Sequence, residues 1–114
     1  MQDCLFCKII KGEIKSKKVF ENESVFAFED INPTAPIHIL VVPKKHFASL
    51  NEMTPEDKDI VGEIFLAAKN IAKEKNIDKS GYRTVFNTGP DAGQAIYHIH
   101  LHLLGGRKFS WPAG

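Results

Sequence analysis

Three of the five histidines of this 114-residue chain stand at alternate positions, His98, His100 and His102. Side chains two residues apart on a β-strand point to one face, so this spacing predicts that the three imidazoles project together. The apolar residues between them would then face the core. Such a group suits a transition-metal ion, or a phosphate site in which one imidazole attacks phosphorus. The residue types alone leave both possibilities open.

The histidines need a scaffold, and patterns of apolar and turn-forming residues predict its elements. A short helix is predicted over Cys4–Lys11, ended by Gly12. Five strands are predicted over Val19–Phe20, Val25–Phe28, Ile37–Val42, Tyr82–Phe86 and Tyr97–Leu104. The pattern therefore favours an α+β domain with a five-stranded antiparallel sheet, one long helix and one short helix. It does not predict the order of the strands.

The long helix is predicted over Pro55–Lys75, where Thr54 is a good N-cap and Pro55 suits the first helical position. Its apolar residues recur at helical spacing, and its charges fall mainly on the opposite face. We expect this stripe to pack on the sheet without taking part in chemistry; it comprises Ile60, Val61, Ile64, Phe65, Ala67, Ala68 and Ile71.

Composition limits the classes of function. Apolar residues make up 43% and charged residues 25%, and the formal net charge is +1, so no strong field favours nucleic acid or an anionic membrane. No apolar run approaches the roughly 18 residues of a membrane span, and Met1–Cys4 lacks the features of a secretory signal. We expect one cytoplasmic domain over residues 1–114, with no nucleic-acid or membrane partner.

The string His98–Leu104 resembles the signature of the histidine triad superfamily of nucleotide hydrolases and transferases, in which histidines alternate with apolar residues. The resemblance covers nearly the whole chain. The other motifs that carry it are Phe6–Ile10, Phe28–Ile31, Ala35–His38, Val42–His46, Gly93–Gln94, Gly105–Arg107 and Trp111–Pro112. Together they look like the histidine triad nucleotide-binding branch, the purine nucleoside phosphoramidases. The resemblance implies a homodimer with a continuous ten-stranded sheet, and Trp111 near its interface.

The resemblance also implies a reaction. His100 would attack the α-phosphorus of a purine nucleoside 5′-phosphoramidate and form a nucleotidyl-imidazole intermediate, which water hydrolyses. His102 and His38 would line the same pocket and help to bind the α-phosphate. A neutral imidazole with a pKa near ~6.5 is nucleophilic at neutral pH. Its other nitrogen should donate a hydrogen bond that fixes the tautomer.

The nucleotide-binding residues are likewise implied by the resemblance. Asp30 would accept hydrogen bonds from the ribose hydroxyls. The apolar slot for the purine would consist of Leu5, Phe6, Ile9, Phe28 and Ile31. Donors to the phosphate would come from Asn87, Gly93 and Gln94. Adenine and guanine are not distinguished.

One residue departs from the family's pattern. Ala95 stands where these phosphoramidases usually have a serine thought to touch the phosphate and assist the leaving amine. Two alternatives to a phosphoramidase therefore stay open. One is a dinucleoside polyphosphate hydrolase that uses the same nucleophile, and the other is a purine nucleotide-binding adaptor with vestigial catalysis.

Cys4 and Cys7 form a C-x-x-C pair. No predicted strand precedes the pair, which disfavours thioredoxin-like redox chemistry, and a structural disulfide is not expected in a reducing compartment. Two free buried thiols are the plain alternative. The resemblance implies a structural zinc ion held by Cys4, Cys7, His46 and His98, a closed Cys2His2 set. His98 would then be a metal ligand, and no catalytic metal is expected.

Overall fold

A computed structural model describes residues 3–114 of the chain. Met1 and Gln2, on which the expectation about a secretory signal partly rests, lie outside these residues. The regular elements, in chain order, are α1 (Leu5–Ile10), β1 (Lys18–Glu21), β2 (Val25–Glu29), β3 (Ile37–Pro43), α2 (Lys58–Glu74), β4 (Tyr82–Phe86) and β5 (Leu101–Gly105). Short 3-10 turns lie at Leu50–Glu52, Pro55–Asp57 and Pro90–Ala92.

The five strands form one antiparallel sheet in the order β1-β2-β3-β5-β4. The predicted α+β class, the five strands and the two helices are confirmed. The last strand pairs between β3 and β4, with Leu40 opposite His102 and Val85 also opposite His102. The interior position of β5 explains why His102 has an apolar residue on each side.

The two faces of the sheet serve different purposes. One face packs on α2 and forms the main core, which includes Ile39, Val41, Leu101 and Leu103. The other face packs on α1, whose Phe6 and Ile9 contact a cluster of sheet residues comprising Phe26, Phe28, Leu40 and Val42. Because side chains alternate along a strand, His38 and His102 share this second face. The α1 face therefore carries the candidate chemistry.

The long helix begins later than predicted. Pro55–Asp57 forms a 3-10 turn, and the α-helix starts at Lys58. The Thr54 backbone N–H donates to Asp57 Oδ2 at 2.9 Å, so Thr54 does cap the start of this segment. Phe65, predicted to widen the buried stripe, is half exposed and packs edge-to-face on Phe86 at 5.7 Å. That part of the prediction is wrong, because α2 rests on the sheet through a narrower face.

The predicted strand Tyr97–Leu104 is wrong over its first half, since β5 begins at Leu101. The register pairs Val41 with Leu101, which would place Pro43 opposite Ile99. Proline has no N–H to donate to the ladder, so pairing stops there. The Ile99 N–H instead donates to the Phe47 carbonyl at 2.9 Å. His98 and His100 therefore precede the strand and are not bound to its strict alternation.

Within residues 3–114, no helix combines the length and the apolar character that crossing a membrane requires.

Two glycines should respond oppositely to alanine. Gly62 lies within α2 with open space around its Cα, so Gly62→Ala should stabilise the fold by about 0.5–1 kcal/mol. Gly106 has φ +89°, and an added Cβ would lie 2.9 Å from Pro36 Cβ. Gly106→Ala should therefore destabilise the fold by at least about 1 kcal/mol. Urea unfolding measures both changes, and equal midpoints for the two variants would contradict this account.

Candidate functional site

The three alternating histidines divide between two neighbouring clusters on the α1 face. The first, which we call the thiol–imidazole cluster, consists of Cys4, Cys7, His46 and His98. The second, the imidazole–carboxylate cluster, consists of Asp30, His38 and His102. His100 lies between them, with its ring 5.0 Å from the His102 ring. The alternation in sequence thus supplies two sites instead of one.

The thiol–imidazole cluster has the dimensions of a tetrahedral metal site. Its four ligand atoms all lie within 4.8 Å of one another. His98 Nδ1 is 3.0 Å from His46 Nδ1, 3.3 Å from Cys4 Sγ and 3.6 Å from Cys7 Sγ. A tetrahedron with Zn–S bonds near ~2.3 Å and Zn–N bonds near ~2.05 Å places neighbouring ligand atoms about 3.3–3.8 Å apart. The donor set therefore fits a four-coordinate cation.

The proton on His98 is also placed for metal binding. His98 Nε2–H donates to the Pro43 carbonyl at 2.7 Å, which leaves the lone pair on Nδ1, the atom that faces the two sulfurs. Burial lowers the pKa of His98 to about 4, so the ring is neutral near pH 7. An imidazole whose outer N–H is held by a backbone carbonyl is the usual arrangement around a metal.

The two cysteines reach the cluster from one turn of α1. Cys4 caps this helix, and its Sγ accepts a hydrogen bond from the Cys7 backbone N–H at 3.4 Å. Burial raises the pKa of Cys7, because a thiolate loses hydration there. A bound cation would reverse that effect by stabilising the thiolate form.

The imidazole–carboxylate cluster, in contrast, is not arranged to bind a metal ion. His38 Nδ1 accepts a hydrogen bond from the Thr34 backbone N–H at 3.1 Å, so the proton of the neutral ring is on Nε2. That atom faces the cluster, 2.9 Å from His102 Nδ1 and 3.3 Å from Asp30 Oδ2. A protonated nitrogen cannot ligate a metal. We therefore describe this cluster as a chain of hydrogen bonds: His38 donates, and His102 keeps its own proton on Nε2.

His100 presents a free lone pair. Its Nδ1–H donates to the His98 carbonyl at 2.8 Å, so Nε2 is unprotonated in the neutral ring. Burial lowers the pKa of His100, which keeps the ring neutral near pH 7. The tautomer that a nucleophilic imidazole needs is therefore fixed by a backbone carbonyl.

The other two imidazoles are also neutral near pH 7. Burial lowers the pKa of His38, an effect that the nearby Asp30 carboxylate partly offsets. Burial and the neighbouring rings of His100 and His38 lower the pKa of His102 to about 4. A bound phosphate would act in the other direction, because its negative charge favours the protonated rings.

A cavity of about 640 Å³ lies between α1 and the sheet, beside Asp30. Four of the five residues predicted for the apolar slot line it, namely Leu5, Ile9, Phe28 and Ile31. Ile31 is 86% exposed, so it stands at the rim. Asp30 joins this cavity to the histidines, since it lines the wall and contacts His38.

Phe6, the fifth residue predicted for the slot, is placed elsewhere. Its ring is 3% exposed and does not line the cavity. It packs edge-to-face against Phe28 at 5.5 Å, His100 at 5.0 Å and His98 at 6.0 Å. Phe6 thus lies behind His100, because its position at the start of α1 directs the ring into the sheet.

The hydrogen-bond donors of the loop after β4 are engaged by groups of the protein itself. The Gln94 side-chain amide accepts from the Gly89 N–H and donates to the carbonyls of Ala48 and Ile96. The backbone N–H groups of Gly93 and Gln94 donate to carbonyls of the same loop. The phosphate donors expected from this segment are therefore engaged within the loop.

Asn87 and Ala95, which belong to the same loop, lie in different surroundings. Asn87 directly follows Phe86, the last residue of β4, which pairs with Leu101. Ala95 lines a smaller, separate depression together with Leu5 and His46.

Three groups that matter were missed by sequence reasoning. The Thr34 backbone N–H fixes the proton on His38, and the Pro43 carbonyl fixes the proton on His98. Arg107 Nε in turn donates to the Thr34 carbonyl at 3.1 Å, which anchors that turn. Backbone groups leave no mark in residue types, so no pattern could have indicated the first two. The Gly105–Arg107 motif was the one available signal for the third.

Comparisons with known proteins agree with this geometry. The family profile described as "Scavenger mRNA decapping enzyme C-term binding" matches residues 3–110. The 14 kDa zinc-binding protein of Zea mays is 47% identical over 112 residues, covering 96% of this chain and 87% of that protein.

Solved structures are also similar. The HIT family hydrolase from Legionella pneumophila Philadelphia 1 superposes with a TM-score of 0.96 at 48% identity, covering 98% of this chain and all of that one. The histidine triad nucleotide-binding protein from Candida albicans has a TM-score of 0.84 at 35% identity, covering 98% and 85%.

The low pKa of His102 predicts an acid-sensitive fold. An unfolded imidazole titrates near 6.5 and the folded one at about 4, so the unfolded state binds more protons between these values. The free energy of unfolding should therefore fall as pH falls from about 6.5 to about 4, and His102→Gln should flatten that fall. Nitrogen-15 NMR of the nucleotide-free protein should find the His102 ring neutral at a pH of about 5.5. A ring half-protonated near pH 6.5 would contradict this prediction.

Proposed function

We propose a function from the premise that this chain belongs to the histidine triad (HIT) superfamily. The chain is a hydrolase of purine nucleoside 5′-phosphoramidates, such as an adenylate joined to an amine or to a lysine side chain. The observation that carries the proposal is the 2.8 Å hydrogen bond from His100 Nδ1–H to the His98 carbonyl. It leaves a lone pair on Nε2 of a neutral His100, whose ring adjoins His102, and the cluster of His102, His38 and Asp30 extends from there to the cavity.

The first step forms a bond from His100 Nε2 to the α-phosphorus and breaks the phosphorus–nitrogen bond of the substrate. The leaving amine takes up a proton. His102 is neutral with its proton on Nε2, so it donates a hydrogen bond to a phosphate oxygen and is a poor source of that proton. Because no serine hydroxyl stands at Ala95, water supplies the proton to the amine.

The second step returns His100 to its starting form. Water attacks the phosphorus of the nucleotidyl-imidazole intermediate, the phosphorus–Nε2 bond breaks, and the nucleoside monophosphate leaves. The proton lost by the water passes to the solvent. Throughout, the His98 carbonyl holds Nδ1–H and can stabilise the positive charge that the ring carries while Nε2 is bonded to phosphorus.

Recognition of the nucleoside follows from the cavity. The purine packs between Leu5 and Ile9 of α1 and Phe28 of the sheet. Asp30 accepts hydrogen bonds from the ribose hydroxyls at the end of the cavity nearest His38. Leu5, Ile9 and Phe28 offer apolar contacts to a purine ring, and polar residues of the same cavity include Lys15, Ser16 and Lys17.

The thiol–imidazole cluster holds structural zinc in this proposal. Its four donors close a tetrahedron and leave no position for a substrate or a water molecule. The metal would therefore supply stability, not catalysis, as a closed Cys2His2 set does in other folds. The maize relative is named a zinc-binding protein, which supports this assignment.

The partner of the chain is a second copy of itself. β4 is an outer strand of the sheet, and the exposed apolar residues Phe65, Leu66 and Tyr82 lie on β4 and the helix before it. Pairing through such an edge would bury these side chains and extend the sheet to ten strands. Trp111, which is 84% exposed, would become partly buried near the same interface.

A purine nucleotide-binding adaptor is the second candidate, and Ala95 favours it. At this position the chain lacks the hydroxyl that the family's pattern provides to assist the leaving amine. An adaptor would bind AMP in the same cavity with negligible turnover.

Hydrolysis of an adenosine 5′-phosphoramidate that carries a fluorescent amine tests the proposal. The parent chain should turn the substrate over, and His100→Ala should lose activity by several orders of magnitude, because it removes the attacking atom. AMP binding should survive in His100→Ala, which shows that the pocket remains folded.

The outcomes separate the candidates. AMP binding without turnover in the parent would support the adaptor, and faster cleavage of a dinucleoside polyphosphate would indicate a phosphate leaving group. Activity retained in His100→Ala would contradict the assignment of the nucleophile.

Metal analysis tests the zinc assignment. The purified protein should contain one zinc ion per chain, and Cys7→Ser should lower both zinc content and thermal stability because the set loses a thiolate. Near-zero zinc together with two titratable thiols in the parent would show that the cysteines are free.

A further inference from the structure

We infer that metal binding at the thiol–imidazole cluster and nucleotide binding in the cavity are energetically coupled through α1, with Phe6 as the positioning residue between them. This inference rests on the proposed function for the identity of the nucleotide. It goes beyond a structural role for the metal, because it makes each ligand raise the protein's affinity for the other.

The first observation is the sharing of α1. This helix has only six residues, too few to be stable alone, so it is held in place by what it contacts. Cys4 and Cys7 attach one side of it to the thiol–imidazole cluster. Leu5 and Ile9 form a wall of the cavity. A metal that fixes the cysteines therefore also fixes that wall.

The second observation is the position of Phe6, which immediately precedes the ligand Cys7. Its ring contacts the ligand His98, the nucleophile His100 and the cavity residue Phe28. At 3% exposure it has little space in which to move independently of them. A shift of α1 at the metal cluster would therefore displace the ring that backs the nucleophile.

The third observation is a direct covalent link through His98. Its ring belongs to the thiol–imidazole cluster, while its backbone carbonyl holds the Nδ1–H of His100. The segment around it is not in a strand, so the β-ladder does not fix that carbonyl. Fixing the His98 ring to a metal therefore also fixes the acceptor that sets the orientation of His100.

Coupling of this kind is reciprocal. If bound AMP holds Leu5 and Ile9 in place, it pre-organises Cys4 and Cys7 and tightens metal binding. The same factor must then appear when the metal is added first and AMP second. We expect a factor of about ten, within the range typical of coupled sites.

The test measures zinc affinity, not activity. Zinc is titrated into the metal-free protein in competition with a chromophoric chelator, with and without saturating AMP. The chelator's own zinc affinity is measured at the same AMP concentration as a control. AMP should tighten zinc binding about tenfold, and removal of zinc should weaken AMP binding by the same factor.

Two variants locate the coupling. Phe6→Leu should reduce the factor towards one while zinc and AMP each still bind. Phe26→Leu is the matched control, since Phe26 belongs to the same apolar cluster and contacts Phe28. It lies on β2, and its ring packs on Phe28 but not on the rings of His98 or His100, so the variant should keep the tenfold factor.

Three results would overturn the inference. Zinc affinity that AMP leaves unchanged in the parent excludes the coupling and leaves the proposed function standing, provided that AMP binds. Failure of AMP to bind either form removes the proposed function as well. A factor retained in Phe6→Leu and lost in Phe26→Leu assigns the coupling to the sheet. If Phe6→Leu does not fold, the zinc and AMP affinities of the parent, each measured with and without the other ligand, decide whether the two sites are coupled.

Discussion

Three backbone groups determine which nitrogen of each central imidazole carries its proton. The Pro43 carbonyl takes the Nε2–H of His98, the His98 carbonyl takes the Nδ1–H of His100, and the Thr34 N–H faces the Nδ1 of His38. Each choice decides what the other nitrogen can do. It leaves His98 with a lone pair on Nδ1 and His100 with a lone pair on Nε2, and it leaves His38 a proton to donate. Similar side chains thus acquire three roles from main-chain geometry.

These arrangements depend on where the pairing between β3 and β5 ends. Pro43 ends the pairing of β3 with the segment before β5, because it has no N–H to offer. That interruption frees the Pro43 carbonyl for the His98 ring and lets His98 and His100 leave the strict alternation of a strand. His102, two residues further on, is within β5 and shares a face with Leu40. One proline therefore separates His98 of the thiol–imidazole cluster from His102 of the imidazole–carboxylate cluster.

Some features of the fold and of the site can be predicted from the sequence, whereas others depend on strand pairing or on packing. Helical spacing and alternation indicate the elements and the α+β class, and motif resemblance indicates Cys4, Cys7, His46 and His98 as one set, which the structure brings together. The strand start at Leu101 could not be predicted, since it depends on which residue of β3 lies opposite Ile99. The place of Phe6 behind His100 also depends on packing, and an apolar residue type fits a slot and a core equally well.

With a net charge of only +1, the chain would have to hold the anionic phosphate of the proposed substrate through local contacts. Its imidazoles are neutral near pH 7, because burial lowers the pKa values of His38, His100 and His102. They therefore act first as oriented hydrogen-bond donors and acceptors. In the proposed complex, His102 keeps its proton on Nε2 and donates a hydrogen bond to a phosphate oxygen, while its Nδ1 accepts from His38. The same burial would keep His100 unprotonated until the proposed attack, so phosphate binding and nucleophilic attack would use different rings.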